Sequence, residues 1–143
     1  MRRVQISFDF LAIAVFAFII FLELFEVYAV ESSSARIRED MVSAVRIASS
    51  VARTINEVCK ENGTSALITI PESLDTSDTY YLSITASGRR VDVFWPISSQ
   101  NRSVGVPILT SNINVFNISK TLNSGPSTIN ISNIDESISV VIS

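Results

Sequence analysis

Asp9, Glu23 and Glu26 stand at the two ends of an unbroken apolar run, FLAIAVFAFIIFL, residues Phe10–Leu22. An ionised carboxylate costs about 2.5–3.5 kcal/mol at the centre of a bilayer. Acids in these places therefore call for a partner cation, an interfacial position or a polar contact between helices. Elsewhere the reactive inventory is thin. The 143 residues include no histidine and a single cysteine, Cys59. Ser–His and Cys–His nucleophilic catalysis, an internal disulfide and the usual zinc clusters are thereby excluded. Cys59 falls at a helical position and is expected to serve as a small buried apolar residue. The remaining acids of the C-terminal region, Glu72, Asp75, Asp78, Asp92, Asp135 and Glu136, are scattered near turns. Asp75 and Asp78 in LDTSDT could approach a calcium ion, but two carboxylates make a poor site, and loop polarity is the expected reason for them. There is no glycine-rich phosphate loop. A net charge of −3 provides no basic field for nucleic acid. The expectation is a non-enzymatic chain with no cofactor and no metal. Four sequons stand out: Asn62-Gly-Thr, Asn101-Arg-Ser, Asn117-Ile-Ser and Asn130-Ile-Ser. Strand alternation turns Asn117 and Asn130 away from their apolar neighbours and towards water, where a glycan would be tolerated on an exported domain.

The elements that must carry these residues follow from periodicity. From Val4 to Leu22, nineteen residues rise about 28 Å as a helix, close to the ~30 Å of a hydrocarbon core. Glu23 and Glu26 then fall at the far interface, and Asp9 stays about one turn inside. No small-residue cleavage site follows the run, and the sequence reads on through YAVESSSARIRED, so a retained anchor is expected rather than a discarded leader. Arg2 and Arg3 precede the run and Arg36 and Arg38 follow it, so charge says little about orientation. Beyond the anchor, Ile37, Met41, Ala44, Ala48, Val51, Ile55 and Val58 recur at steps of four and three and form one apolar stripe. Arg53 and Glu57 make an i,i+4 pair away from it. Asn62-Gly63 is a helix stop, so a single helix from about Gln5 to Glu61 is expected.

The rest is rich in Thr, Ser, Val, Ile and Asn. ALITI (Ala66–Ile70) ends at Pro71, and TYYLSIT (Thr79–Thr85) turns through Ala86–Arg89 into RVDVFW (Arg90–Trp95) as a β-hairpin. Tyr80, Leu82, Ile84, Val91, Val93 and Trp95 should face inward. SVGVPIL (Ser103–Leu109) is demoted to an edge by Pro107. INVFNIS (Ile113–Ser119), STINIS (Ser127–Ser132) and SISVVIS (Ser137–Ser143) complete the set. The fold class is α+β: one long N-terminal helix packed against a small antiparallel β-sheet or sandwich head.

The start RRVQISFDFL resembles the class III signal of archaeal type IV pilins. Gln5, Ile6, Ser7, Phe8 and Asp9 match the family's mature start, with Asp9 in place of the usual glutamate at the fifth mature position. The layout of a long helix followed by a small β head is also similar, more loosely after Val30. The resemblance implies that a prepilin peptidase cuts between Val4 and Gln5 on the cytoplasmic face, although Val4 stands where the family has a small residue. It implies a basic leader at 1–4, a transmembrane and polymerisation helix at 5–30, an amphipathic half at 31–62 and an extracellular β head at 63–143. Gln5, Ser7 and Asp9 become assembly residues, Asp9 pairing with the new amine at Gln5 of its own or a neighbouring subunit. The partners implied are other pilins, the peptidase and the membrane, with no nucleic acid. The chain would be a precursor in the cell membrane and then a subunit of a surface filament used for adhesion. The alternative is a signal-anchored surface protein that never polymerises, an adaptor of a motility or export machine or a cell-envelope binding module.

Overall fold

Residues 2–58 contain neither glycine nor proline, so nothing in their backbone chemistry interrupts a helix. The computed structural model describes residues 2–97, 100–114, 116–121 and 124–143, with side chains described from Phe8 onward. It shows one helix, α1 (Arg2–Val58), followed by β1 (Ser65–Ile70), β2 (Thr79–Thr85), β3 (Arg90–Ile97), β4 (Gln100–Pro107), β5 (Phe116–Thr121), β6 (Ser127–Ile134) and β7 (Ser137–Ile142). The chain divides into two compact units, Met1–Arg36 and Ile37–Ser143.

In the first unit every described side chain except the half-buried Ser32 is exposed. Phe21 and Phe25 stack one turn apart, with ring centroids separated by 6.4 Å. The Ser33 and Ser34 hydroxyls both donate to the Val30 carbonyl, at 2.8 and 3.0 Å. This back-bonding satisfies both hydroxyls within the helix.

The second unit is the β head with the C-terminal part of α1. Its strands form two antiparallel sheets, one ordered β1-β6-β7 and the other β4-β3-β2-β5. A single apolar core draws Ala44, Ile47, Ala48, Val51, Ala52, Ile55 and Val58 from α1 together with side chains from both sheets. The β2–β3 hairpin forms as expected, and its register sets Thr85 opposite Arg90 and Leu82 opposite Val93. Tyr80, Leu82, Ile84, Val91, Val93 and Trp95 are all buried. β4 is an edge strand and stops at Pro107, whose missing N–H cannot serve a further ladder.

Three local expectations shift. Met41 is 52% exposed, and Ile47 and Ala52 join the buried face instead. The inward place in that turn is taken by Asp40, for a reason given below. The helix ends at Val58 rather than Glu61 because side chains from elsewhere claim its last carbonyls. Asn133 Nδ2 donates to Val58 O and Glu61 O at 3.2 and 3.1 Å, and the Thr64 hydroxyl bonds the same two groups. Gly63, at φ +80°, then makes the turn that an L-residue would resist. Finally, β5 begins at Phe116, and Ile113 instead makes an isolated parallel bridge to Ile138. The β6–β7 turn is a two-residue hairpin with Asp135 and Glu136 both at positive φ, 52° and 63°. That is the primed turn that matches strand twist. Asn62 Oδ1 accepts from Asp135 N at 3.0 Å and Asn112 Nδ2 donates to Glu136 O at 2.7 Å, and both bonds hold the strained pair.

Candidate functional site

The apolar part of α1 is long and greasy enough to cross a membrane. Its best window has a mean hydropathy of 2.5 and is 0% buried by the rest of the protein. From Phe8 to Val30 the helix rises about 34 Å. Soluble monomers rarely expose an apolar surface of this extent, and the helix could anchor in a membrane. Asp9 and Glu23 are fourteen residues apart, and Glu23 and Glu26 three. At 100° per residue the three acids share one arc of about 100°, with Phe16 and Ile19 between them. All three are exposed. Among the described residues none makes a hydrogen bond or ion pair within the chain. The helix therefore presents one acid-bearing stripe and an otherwise unbroken apolar circumference. The side chains of Val4, Gln5 and Ser7 lie outside the described residues.

The sequons fall in four settings. Asn101 is exposed on the edge strand β4. Asn117 is exposed on β5, which is also an edge. Asn130 is half-buried on the central strand β6, opposite Leu67 on one side and Val141 on the other. Asn62 is exposed, but its Oδ1 is engaged by the β6–β7 turn and its Thr64 hydroxyl is turned into the helix end. Asn101 and Asn117 are thus the freest of the four.

The buried polar groups of the head do structural work. Asp40 is 2% exposed. Its Oδ1 accepts from Thr76 N at 2.7 Å and Ser77 N at 3.1 Å, and its Oδ2 accepts from the two hydroxyls at 2.7 and 2.6 Å. Burial alone would raise its pKa, but the Ser77 and Thr76 hydroxyls and backbone N–H groups together outweigh that and hold the carboxyl below its ordinary value. The LDTSDT loop is thereby fastened to α1 through Thr76 and Ser77, while Asp75 and Asp78 are exposed. Tyr80 donates its hydroxyl to Pro71 O at 2.5 Å, and burial pushes its pKa up. Lys120, 2% exposed, donates to Gly125 O at 2.5 Å and Ser127 Oγ at 2.8 Å. Glu72 accepts from Gly125 N at 3.1 Å, so the β5–β6 connection is held from two sides. Cys59 is half-buried and donates to Asn56 O at 3.3 Å.

Among the described residues no three His, Cys, Asp or Glu side chains come together as metal ligands. Sequence reasoning missed Asp40 as a fastening point. The available signal was an acid at the inward position of an otherwise apolar stripe, three residues after Ile37. No family model, no curated protein and no solved structure matches this chain.

Proposed function

We propose that this chain is a pilin-like structural subunit of an archaeal surface filament, major or minor, that serves adhesion or surface attachment. The observation that carries the reading is the continuous helix α1. Its N-terminal part offers nothing but apolar side chains and three aligned acids to its surroundings, while its C-terminal part is the core element of a β head. A helix of this kind waits in a membrane as a precursor. After removal of MRRV between Val4 and Gln5, it bundles laterally with other copies or other pilins. In the bundle, van der Waals packing and buried polar pairs replace lipid contact. Gln5, Ser7 and Asp9 lie at the start of that surface, and Asp9 pairs with the new amine. Glu23 and Glu26 fit a polar layer within the bundle or a minor, tip-like position, since a purely apolar filament core would bury them unpaired. The head is carried outside the cell, with its sequons available for glycosylation.

The test is assembly of Asp9 variants in the native host. Asp9→Ala should be exported normally and yield few filaments, whereas Asp9→Glu should assemble like wild type. Wild-type filament yield from Asp9→Ala would sink the pairing. A second reading, a permanent anchor that never polymerises, is favoured by Val4 at the expected cleavage position. Electron microscopy of surface filaments sheared from cells separates the two.

A further inference from the structure

The outward face of the β4-β3-β2-β5 sheet carries two exposed aromatic side chains. Register places Ser119, Tyr81, Phe94 and Ser103 in one row across the four strands, and Asn117, Ser83, Asp92 and Gly105 in the next. Tyr81 and Phe94 are direct cross-strand partners, 54% and 37% exposed. Shallow hollows of about 400 and 300 Å³ open beside them; Phe94 lines both and Tyr81 only the larger. Asp92 lines the smaller one and is 8% exposed although it belongs to the solvent face. Its Oδ1 takes both Arg90 contacts, from Nε at 2.6 Å and Nη2 at 2.5 Å. Oδ2 has no partner among the described residues. Gly105 opposite lacks the side chain that would collide with the Arg90 guanidinium and with Asp92 Oδ1. Asp92 and Arg90 cancel in charge, and the other residues of these two rows are uncharged. The face therefore has no attraction for an ion. It offers two neighbouring exposed aromatic side chains bordered by hydroxyls, an amide and a carboxylate oxygen.

We propose that this face binds a neutral glycan, a chain of pyranose sugars. A pyranose presents an apolar C–H face for Tyr81 and Phe94 and a rim of hydroxyls for Asp92 Oδ2, Ser103 and Asn117. The two hollows flanking Phe94 accommodate successive sugars. Cross-strand packing, which stabilises many sheets, accounts for Tyr81 and Phe94; the glycan reading adds a use for the hollows and for an Asp92 oxygen that Arg90 leaves open to solvent. The inference deepens the adhesive reading, resting on the head being outside the cell. Its test is independent of processing and assembly, so the two can fail separately.

The experiment uses the full chain, produced without glycosylation and held in a zwitterionic detergent with no sugar head group. It is titrated calorimetrically with cellohexaose, mannohexaose and chitohexaose, each up to about 10 mM, since an open site of this kind is expected to bind in the high micromolar to millimolar range. At least one of the three should bind. Phe94→Ala and Asp92→Asn should each weaken that binding about tenfold or more, with the Trp95 emission of the folded head retained. Leu67→Ala, an exposed apolar truncation on the other sheet, should leave it unchanged. Absence of binding to all three sugars would overturn the proposal. So would unchanged binding in Phe94→Ala, or equal loss in Leu67→Ala.

Discussion

Replacing Asp40 tests how the head is fastened to α1. Asp40→Ala removes a carboxylate that accepts four hydrogen bonds from Thr76 and Ser77. Bonds to a charged group contribute about 1.5–3 kcal/mol each, but not additively. Thr76 is exposed and Ser77 half-buried, so water rescues part of the loss. We expect a net destabilisation of about 3–4 kcal/mol, a large share of the ~5–15 kcal/mol of a domain, and a fall in melting temperature of about 15 °C. Asp40→Asn should be far milder. Its Oδ1 keeps both backbone N–H groups, and its two amide hydrogens can donate to the two hydroxyls once these rotate to accept. The remaining loss is the charge, about 1 kcal/mol. The folded carboxyl binds its proton less tightly than the ordinary value of 3.8. Its contribution is therefore full above about pH 4 and is lost as pH falls through the lower, folded value. The gap between wild type and Asp40→Asn should stay constant from pH 7 down to about pH 4 and shrink only as pH falls further. Trp95, the single tryptophan and 2% exposed in the core, reports head unfolding in detergent without interference from the anchor. An Asp40→Ala melt within about 2 °C of wild type, or a gap to Asp40→Asn that does not change with pH, would refute the reasoning.

Ile55, fully buried in α1, should not tolerate aspartate: Ile55→Asp is expected to abolish the cooperative Trp95 transition. Arg53→Asp, which breaks an exposed i,i+4 pair, should cost less than about 1 kcal/mol by the same assay. Glu136→Gly should stabilise the head by about 0.5–1 kcal/mol and raise its melting temperature by about 2–6 °C, because φ is +63° there. A fragment beginning at Glu31 should run as a soluble monomer in gel filtration and retain the strand signal in circular dichroism, whereas the full chain should require detergent. Aggregation of the fragment would show that the apolar segment is needed for the head to fold.

Much of this architecture was legible in residue order. A stretch of 57 helical residues without glycine or proline could hardly be anything else. The YYLSIT and RVDVFW alternation specified a hairpin whose turn and inward side chains are those observed. Pro107 marked an edge strand. What could not be read was non-local. β1 pairs with β6 and β2 with β5, across long stretches of chain whose strands carry similar alternating patterns, so local pattern leaves the partner open. The division into two sheets follows from those pairings. Met41 looked like a stripe residue because periodicity cannot tell where cover begins, and the role of Asp40 was illegible because its partners lie 36 and 37 residues away. The face proposed to bind a glycan is likewise a product of register: Tyr81, Asp92, Phe94 and Asn117 come together only once β5, β2 and β3 are aligned. The acids of the apolar helix, by contrast, were visible from spacing alone.

In the proposed function the apolar helix is kept and its short basic start is removed. The direct measurement is the intact mass of the chain recovered from a sheared surface fraction of native cells, with fragmentation to read the first residue. The account predicts a chain that begins at Gln5 and retains Asp9 through Val30. A chain still beginning at Met1 would contradict processing and leave a permanent anchor. A chain beginning beyond Val30 would contradict the anchor itself.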